Sequence, residues 1–447
     1  MYANTIEFNK KLRYTVINEY IEVKIMFIST TENARWQQGQ PTDKKGFVLT
    51  LGEEKQTVRG FGTCFSELSA EALNALSEKD KSACLDELFD SDKCNFNYCR
   101  TPIGASDFAT SFYSYNETEG DYEMENFSVE RDEKLLLPLI LEGVKRQKNM
   151  QMFASPWCPP LWLKTKTAYS YGVFNKTEEN LKAYALYFKK YVQAYHKKGV
   201  PLVHIHPQNE PCSNQVFPSC VWKGNELADF IGGYLGPALE NENIDIFFGT
   251  INGPEGGERL WWTRYCDYLG YAMKTKARKY IKGVGYQWAG KFALPQTQDD
   301  YPELELIQTE SECGDGQNTW DHMMMIYGLA RHYFRFGATA YVYWNLALKK
   351  GQPSTWGWHQ NSLISVDGDK AIFTPEYYLM KHFSHFVKRG AKYVTVKGEM
   401  ASDCTCFKNP DGTYVLVIDN PYRESQVITV GDKSYELLPR SINTITF

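Results

Sequence analysis

The sequence predicts an α/β fold: a (β/α)8 TIM barrel with a side β-sandwich domain formed from the C-terminal segment and part of the N-terminus. Three observations predict it. Eight apolar, β-branched runs alternate with helical patterns through the middle of the chain, the signature of a parallel sheet built from βα units. From about Ala391 the pattern changes to short alternating strands separated by turns. A length of 447 residues suits one barrel with an appendage.

In chain order the barrel strands are "VRGFG" (58–62), "NFNYCRTP" (95–102), "QMFASP" (151–156) and "PLVHIHPQ" (201–208), followed by "IDIFFGT" (244–250), "IKGVGYQW" (281–288), "LELIQTE" (304–310) and "ATAYVYWN" (338–345). The intervening helices are legible. In the segment 177–199, Leu181, Tyr184, Ala185, Phe188, Val192 and Tyr195 share one face; Thr177 caps the start, Glu178 and Glu179 favour the first turn, and Lys197, Lys198 and Gly199 mark the end. Beyond the barrel, "KYVTVKGE", "CTCFKNPDGTYVLVIDN", "QVITVGDKSYELLP" and "SINTITF" read as sandwich strands, with "NPDG" as a hairpin turn. The chain divides into an N-terminal arm (1–26), N-terminal strands joining the sandwich (27–57), the catalytic barrel (58–388) and the C-terminal sandwich (389–447).

A formal charge of −5, with acidic and basic residues interspersed, gives no basic stripe for a phosphate backbone, so nucleic acid is not an expected partner. Aromatic residues make up 15% of the chain, a surplus that serves either core packing or the stacking of flat ligand faces. Eleven cysteines, an odd number, leave at least one unpaired, which favours a reducing compartment. The first residues lack the apolar core of a signal peptide and no later window has the length of a membrane span, so the expectation is a cytoplasmic protein without integral membrane association.

Two strand ends carry the chemistry. The fourth strand runs into "HPQNEP", where Pro211 stops the ladder and biases Glu210 away from helix, giving its carboxylate a stiff mount. Taken singly, a glutamate at a strand end is usually a solvated surface group. The seventh strand ends alike, in "QTESECG", delivering Glu310 to the tip with Glu312 and Asp315 on the loop behind it. Two carboxyl groups at one barrel mouth suit glycosidic cleavage, in which one protonates the departing oxygen and the other attacks the sugar carbon or activates water. A separation of about 5 to 5.5 Å gives retention of configuration and about 6.5 to 9.5 Å gives inversion.

The blocks "VRGFGTCFSE", "NYCRTPIGASDFATSFYSY", "NFSVERD", "ASPWCPPLWLKT", "HPQNEP", "QTESECG", "YVYWNLAL", "STWGWHQNSLISVD" and "RSINTITF" run from Val58 to Phe447. In that order they resemble glycoside hydrolase family 30, which includes glucosylceramidases and β-1,6-glucanases. The resemblance implies a retaining mechanism without a cofactor or metal, in which Glu310 matches the nucleophile, ahead of Glu312, and Glu210 matches the acid/base. Arg100 and Asp107 match residues at the base of the first sugar site, the first orienting the nucleophile and the second accepting sugar hydroxyls. Asn209 matches the residue that holds the 2-hydroxyl. Trp157 and Trp344 match aromatic walls, Asn361 matches a residue at the pocket edge, and Tyr286 and Trp288 lie at the sixth-strand rim. Each of these has a structural alternative, such as an ion-pair partner for Arg100, a helix cap for Asp107 or a core position for Trp344. A guanidinium beside Glu310 implies an ionised nucleophile, and Glu210, facing that charge, is expected to keep its proton.

The loop "CSNQVFPSCVWKG" departs from the glucosylceramidase pattern, while "GYQWAG" and "STWGWHQNS" are more similar to the β-1,6-glucanase branch. A retaining β-glycosidase acting on β-1,6-linked gluco-oligosaccharides, glucan or small β-glucosides is therefore expected, with glucosylceramidase, β-xylosidase or β-fucosidase activity as alternatives on the same scaffold. Two readings come from other classes. A metal-dependent barrel hydrolase would use His204 and His206, which alternate on one strand face, although none of the other six histidines makes an H-x-H or H-E-x-x-H pattern, which favours a packed or hydrogen-bonded role. A catalytically inactive carbohydrate-binding protein is disfavoured by the presence of both glutamates. "GFGTCF" lacks the lysine of a phosphate loop.

Overall fold

The computed structural model describes residues 26–252 and 266–447. The expected N-terminal arm lies outside the described residues except for Met26, which opens a strand.

Eight parallel strands close into a barrel. They are Gly60–Cys64, Tyr98–Ile103, Gln151–Pro156, Leu202–Ile205, Asp245–Ile251, Ile281–Gln287, Glu305–Glu310 and Ala338–Asn345, and the last pairs with the first. All eight expected strands are present. The helix before the fourth strand spans Glu178–Lys197; Thr177 caps it by accepting from the amide of Asn180, and its apolar face, including Tyr184, Phe188 and Val192, is buried.

The barrel interior is packed rather than hollow. Tyr98, Phe153, Phe247, Ile307, Ala340 and Val342 form its central cluster. His204 lies between Phe153, at 5.1 Å, and Phe247, at 3.9 Å, with its Nε2 on the Tyr98 hydroxyl. The facing sixth strand carries Gly283 and Gly285, where an added Cβ would come within 2.5 Å of Phe247 and 2.4 Å of His206. The two histidines are thus placed as packed interior groups. Among the described residues no cluster of three His, Cys, Asp or Glu side chains is arranged for metal ligation.

Beside the barrel lies a nine-stranded sheet. Met26–Thr31 pairs antiparallel with Ser441–Thr446, and Phe47–Thr57 pairs antiparallel with Lys392–Lys397 and parallel with Gln426–Val430. The N-terminal strands therefore complete the C-terminal sheet, around a second core that includes Phe27, Leu49, Leu416, Ile428 and Ile445. The turn at "NPDG" closes with the amide of Gly412 on the Asn409 carbonyl at 2.9 Å. His382, on the helix Pro375–Ser384, bonds to Thr444 and to Thr30, each at 2.8 Å, and so ties the sheet to the barrel. A three-stranded sheet, Ala347–Lys349, Ile364–Asp367 and Lys370–Phe373, follows the eighth barrel strand and was not expected from the sequence. No helix among the described residues is long and apolar enough to cross a membrane.

Candidate active site

The strand alternation that fills the barrel also builds its mouth. Side chains two residues apart share a face, so Arg100 follows inward-facing Tyr98, Ser155 and Trp157 follow Phe153, and Trp344 follows Val342. The segment after the fourth strand stays docked between its neighbours: the Asn209 amide donates to Pro156 O at 2.7 Å and that of Glu210 to Thr250 O at 2.9 Å. Glu210 adopts φ +50°, a left-handed conformation uncommon for a residue with a side chain. Pro211 disfavours right-handed helix at Glu210 as expected, but the backbone turns left-handed rather than extended because both neighbouring strands hold it.

Arg100 is fully buried and organises the centre. Its Nη1 donates to Glu310 Oε2 at 2.5 Å, and its Nη2 to Asn209 Oδ1 at 2.6 Å and Ser155 Oγ at 2.8 Å. The guanidinium lies 4.5 Å from the Trp157 ring centroid and 5.5 Å from that of Trp344, and the two indoles stack at 5.4 Å. Gln287 Nε2 also reaches Glu310 Oε2, at 3.0 Å, leaving Oε1, among the described residues, with only the Cys313 thiol at 3.9 Å. Asn209 Oδ1 accepts from Arg100, from Gln287 at 2.8 Å and from Thr250 at 2.9 Å, which fixes the amide orientation; its Nδ2 has no partner among the described residues.

Glu210, Glu310 and Asp107 are all buried around this single guanidinium. Burial is the main influence on each and raises all three: Glu310 to about 8 against the pull of Arg100, Asp107 to about 7 with a further push from Glu210, and Glu210 upward despite donors at Ser213, Gln287 and Asn252. Glu210 is raised as expected, whereas the expectation that the Arg100 guanidinium keeps Glu310 ionised is corrected, because burial outweighs the guanidinium. Both carboxyl groups also have donors: Oε2 of Glu310 accepts from Arg100 and Gln287, and Glu210 faces Ser213, Gln287 and Asn252, so Gln287 links the two.

Seven of the ten sequence-selected positions meet here: Arg100, Asp107, Trp157, Asn209, Glu210, Glu310 and Trp344. Trp288 starts a short helical turn at the rim, half-buried, with the Lys291 ammonium 5.3 Å from its ring. Two positions are corrected. Tyr286 points away from the pocket, with its hydroxyl 2.6 Å from Thr297 Oγ1, because the inward position on this strand belongs to its neighbour Gln287. Asn361 spends both ends of its amide on the protein: Oδ1 accepts from the amides of Gly316 and Asn318, at 2.8 and 3.1 Å, and Nδ2 donates to Glu376 at 2.8 Å. It clamps the loop behind Glu310 instead of meeting a ligand. Tyr286→Phe is accordingly expected to lower stability by about 1 kcal/mol and leave KM unchanged, as checked by thermal unfolding and steady-state kinetics.

Sequence reasoning missed Gln287, Ser155, Thr250 and Ser213. For Gln287 the signal was present: Gly283 and Gly285 mark the crowded inward face, and alternation puts residue 287 on it.

Burial also raises Glu376, from 4.5 to about 7, and Asp419, from 3.8 to about 7. Together with Asp107 these groups bind protons more tightly when folded than when unfolded. Their stabilising effect is complete below the unfolded values and is lost as pH rises through the folded ones. The melting temperature of the ligand-free protein is expected to fall between about pH 5 and about pH 8, measured calorimetrically in buffers of equal ionic strength.

A closed eight-stranded barrel with buried carboxyl groups facing an arginine and two tryptophans at its mouth defines a carbohydrate-cleaving class of enzyme, the glycoside hydrolases. Residues 58–387 match the glycosyl hydrolase family 30 TIM-barrel domain and residues 390–445 the family 30 beta sandwich domain, so the chain belongs to that family and is a glycosidase. It is 29% identical over 425 residues to the lysosomal acid glucosylceramidase of Mus musculus, covering 87% of this chain and 80% of the mouse protein. It is 26% identical over 438 residues to the endo-1,6-beta-D-glucanase of Neurospora crassa, covering 89% and 87% respectively. Among solved structures, the endo-β-1,6-glucanase BT3312 superposes with a TM-score of 0.85 at 25% identity, over 94% of this chain and 98% of that one.

Proposed function

We propose that the protein is a retaining β-glycosidase that cleaves β-D-glucosidic bonds in β-1,6-linked gluco-oligosaccharides or small β-glucosides, with Glu310 as nucleophile and Glu210 as acid/base. The observation that carries the reading is the unequal treatment of the two Glu310 oxygens. Oε2 is anchored by Arg100 and Gln287, while Oε1 meets only a weak thiol donor and remains available to attack.

In the first step Oε1 bonds to the anomeric carbon as the glycosidic C–O bond breaks, and Glu210 delivers its proton to the departing oxygen. The sugar is then held as an ester of Glu310, whose negative charge has gone, so Glu210 loses its proton more readily. Acting as a base, Glu210 takes a proton from water as the water oxygen attacks the same carbon, and Glu310 leaves as carboxylate. Arg100 stabilises that carboxylate at each end of the cycle. Asn209 Nδ2, without a partner among the described residues, suits donation to the 2-hydroxyl, a contact that strengthens in the transition state. Trp157 and Trp344 supply apolar walls, and Asp107 accepts hydroxyls distant from the bond that breaks.

The leaving group is argued from two sides. The higher identity to a named glucosylceramidase supports a lipid glycoside, whereas the likeness to a solved β-1,6-glucanase supports a sugar. The "CSNQVFPSC" loop beside Glu210, which departs from the glucosylceramidase pattern, favours the sugar. A hydrolysis panel of gentiobiose, longer β-1,6-glucan, aryl β-glucosides, aryl β-xylosides and glucosylceramide tests this. Aryl glucoside and gentiobiose are expected to turn over fastest; cleavage of glucosylceramide alone would transfer the assignment to the lipid substrate, and no cleavage of any β-glucoside would remove it. We further propose a cytoplasmic location, supported by nine buried cysteines, Cys64, Cys84, Cys94, Cys99, Cys158, Cys220, Cys313, Cys404 and Cys406, that carry free thiols; recovery of the protein from the extracellular fraction would contradict it.

A further inference from the structure

We propose that Phe217 and Trp356 cap the pocket beyond Asp107, so that the enzyme removes single glucosyl units from non-reducing chain ends and does not cut within chains. The inference rests on the glucosidase reading above and extends it to the mode of attack. In that reading Glu210 and Glu310 take the anomeric carbon and Asp107 accepts hydroxyls distant from it, so Asp107 marks the side on which the next residue of a longer chain would have to leave the pocket.

The structure fills that direction with protein. The loop after the eighth barrel strand is bonded directly onto Asp107: the amide and the hydroxyl of Thr355 both donate to Asp107 O, each at 2.9 Å. This sets the next residue, Trp356, against the Asp107 side chain, with its buried indole N–H directed at the carboxyl group. The loop is a tight turn, since Ser354 donates its amide to Trp358 O at 2.8 Å and Gly357 closes back on Ser354 O at 3.0 Å with φ +94°. Phe217, on the loop behind Glu210, meets the Trp356 ring at 5.6 Å from the other side and packs on the cluster that contains Phe108, Trp157 and Trp344.

The Phe217 wall is equally fixed. Lys164, only 5% exposed, donates to Ala168 O at 2.6 Å, Tyr169 O at 3.1 Å and Ser219 O at 2.9 Å, tying the loop after the third strand to the one that carries Phe217. Loops from the second, third, fourth and eighth strands therefore join into a continuous wall on the Asp107 side. A buried lysine spent on three carbonyls has no role in the chemistry, and rigidity of this wall accounts for it.

The test uses 4-nitrophenyl β-D-glucoside and 4-nitrophenyl β-gentiobioside, which differ by one sugar on the side of the proposed cap. The full-length protein is expected to release nitrophenol from the glucoside at once and from the gentiobioside only after a lag, with free glucose exceeding gentiobiose by about tenfold or more in early samples. Immediate nitrophenol release with gentiobiose as its partner product would overturn the cap while leaving the glucosidase reading intact. Failure to hydrolyse either compound would remove that reading, and this inference with it. In the Phe217→Ala/Trp356→Ala variant the lag is expected to shorten and gentiobiose to appear. A variant that still hydrolyses the glucoside but keeps the wild-type lag would overturn the assignment of the cap to these two rings, and the wild-type product ratio decides the exo reading even where the double variant does not fold.

Discussion

Glu310→Ala is expected to lower kcat/KM for an aryl β-glucoside by roughly 10⁴- to 10⁶-fold, the scale on which enzymes lose function when their nucleophile is removed. The loss arises because no other group in the pocket is poised to bond to the anomeric carbon: Oε1 of Glu310 is the carboxylate oxygen left free by Arg100 and Gln287. Glu312 does not replace it, since its Oε2 accepts from the Gly314 amide at 2.9 Å and lies 3.4 Å from His322. Glu210→Ala should behave differently. Loss of general acid catalysis costs about 10²- to 10⁴-fold, and the cost should nearly vanish in the first step for leaving groups that depart without a proton, such as dinitrophenolate. Added azide should then rescue Glu210→Ala, giving a glycosyl azide of retained configuration. Equal losses across all leaving groups for Glu210→Ala, or undiminished hydrolysis by Glu310→Ala, would contradict the roles assigned.

Arg100→Met is expected to impair both activity and folding. The side chain is fully buried and serves Glu310, Asn209, Ser155 and the Thr309 carbonyl at once. Removing one partner of a buried ion pair typically costs about 3–5 kcal/mol, part of which is recovered if the remaining carboxyl group takes up a proton. That uptake has a kinetic consequence. Arg100 is the cation that holds Glu310 down against burial, so without it the nucleophile ionises at still higher pH. The acidic limb of the kcat/KM profile should move to higher pH and the maximum should fall by about 10²-fold or more, as for the loss of a preorganised electrostatic group. Arg100→Lys, which keeps the charge but not the fork that spans Glu310 and Asn209, should restore much of the pH profile and little of the rate. A profile unchanged in Arg100→Met would show that the guanidinium does not govern the state of Glu310.

Much of this architecture was legible in the chain because alternation and apolar runs dictate a parallel barrel, and a barrel puts its chemistry at the strand ends. Glu210 and Glu310 stood out since each terminates an apolar run in polar sequence. Arg100 and Trp344 followed from the family pattern, and the inward parity of their strands explains their positions. What escaped notice depends on facing rather than composition. At the sixth strand the family resemblance points to Tyr286 and Trp288 at the rim, yet Gln287 between them shares the inward face with two glycines. Asn361 was misassigned because its partner Glu376 lies fifteen positions on, beyond a three-stranded sheet the sequence did not announce. The raised proton affinity of Glu210 was expected, but that of Glu310 and Asp107 was hidden, since burial is a property of the assembled barrel and no local motif reports it.

The account turns on one stereochemical event, two successive displacements at the same carbon. Proton NMR of the anomeric region during the first minutes of aryl β-glucoside hydrolysis, before mutarotation, tests it most directly: β-glucose is expected to appear first and α-glucose only later. Initial release of α-glucose would require a single displacement by water, and Glu310 could not then be the nucleophile.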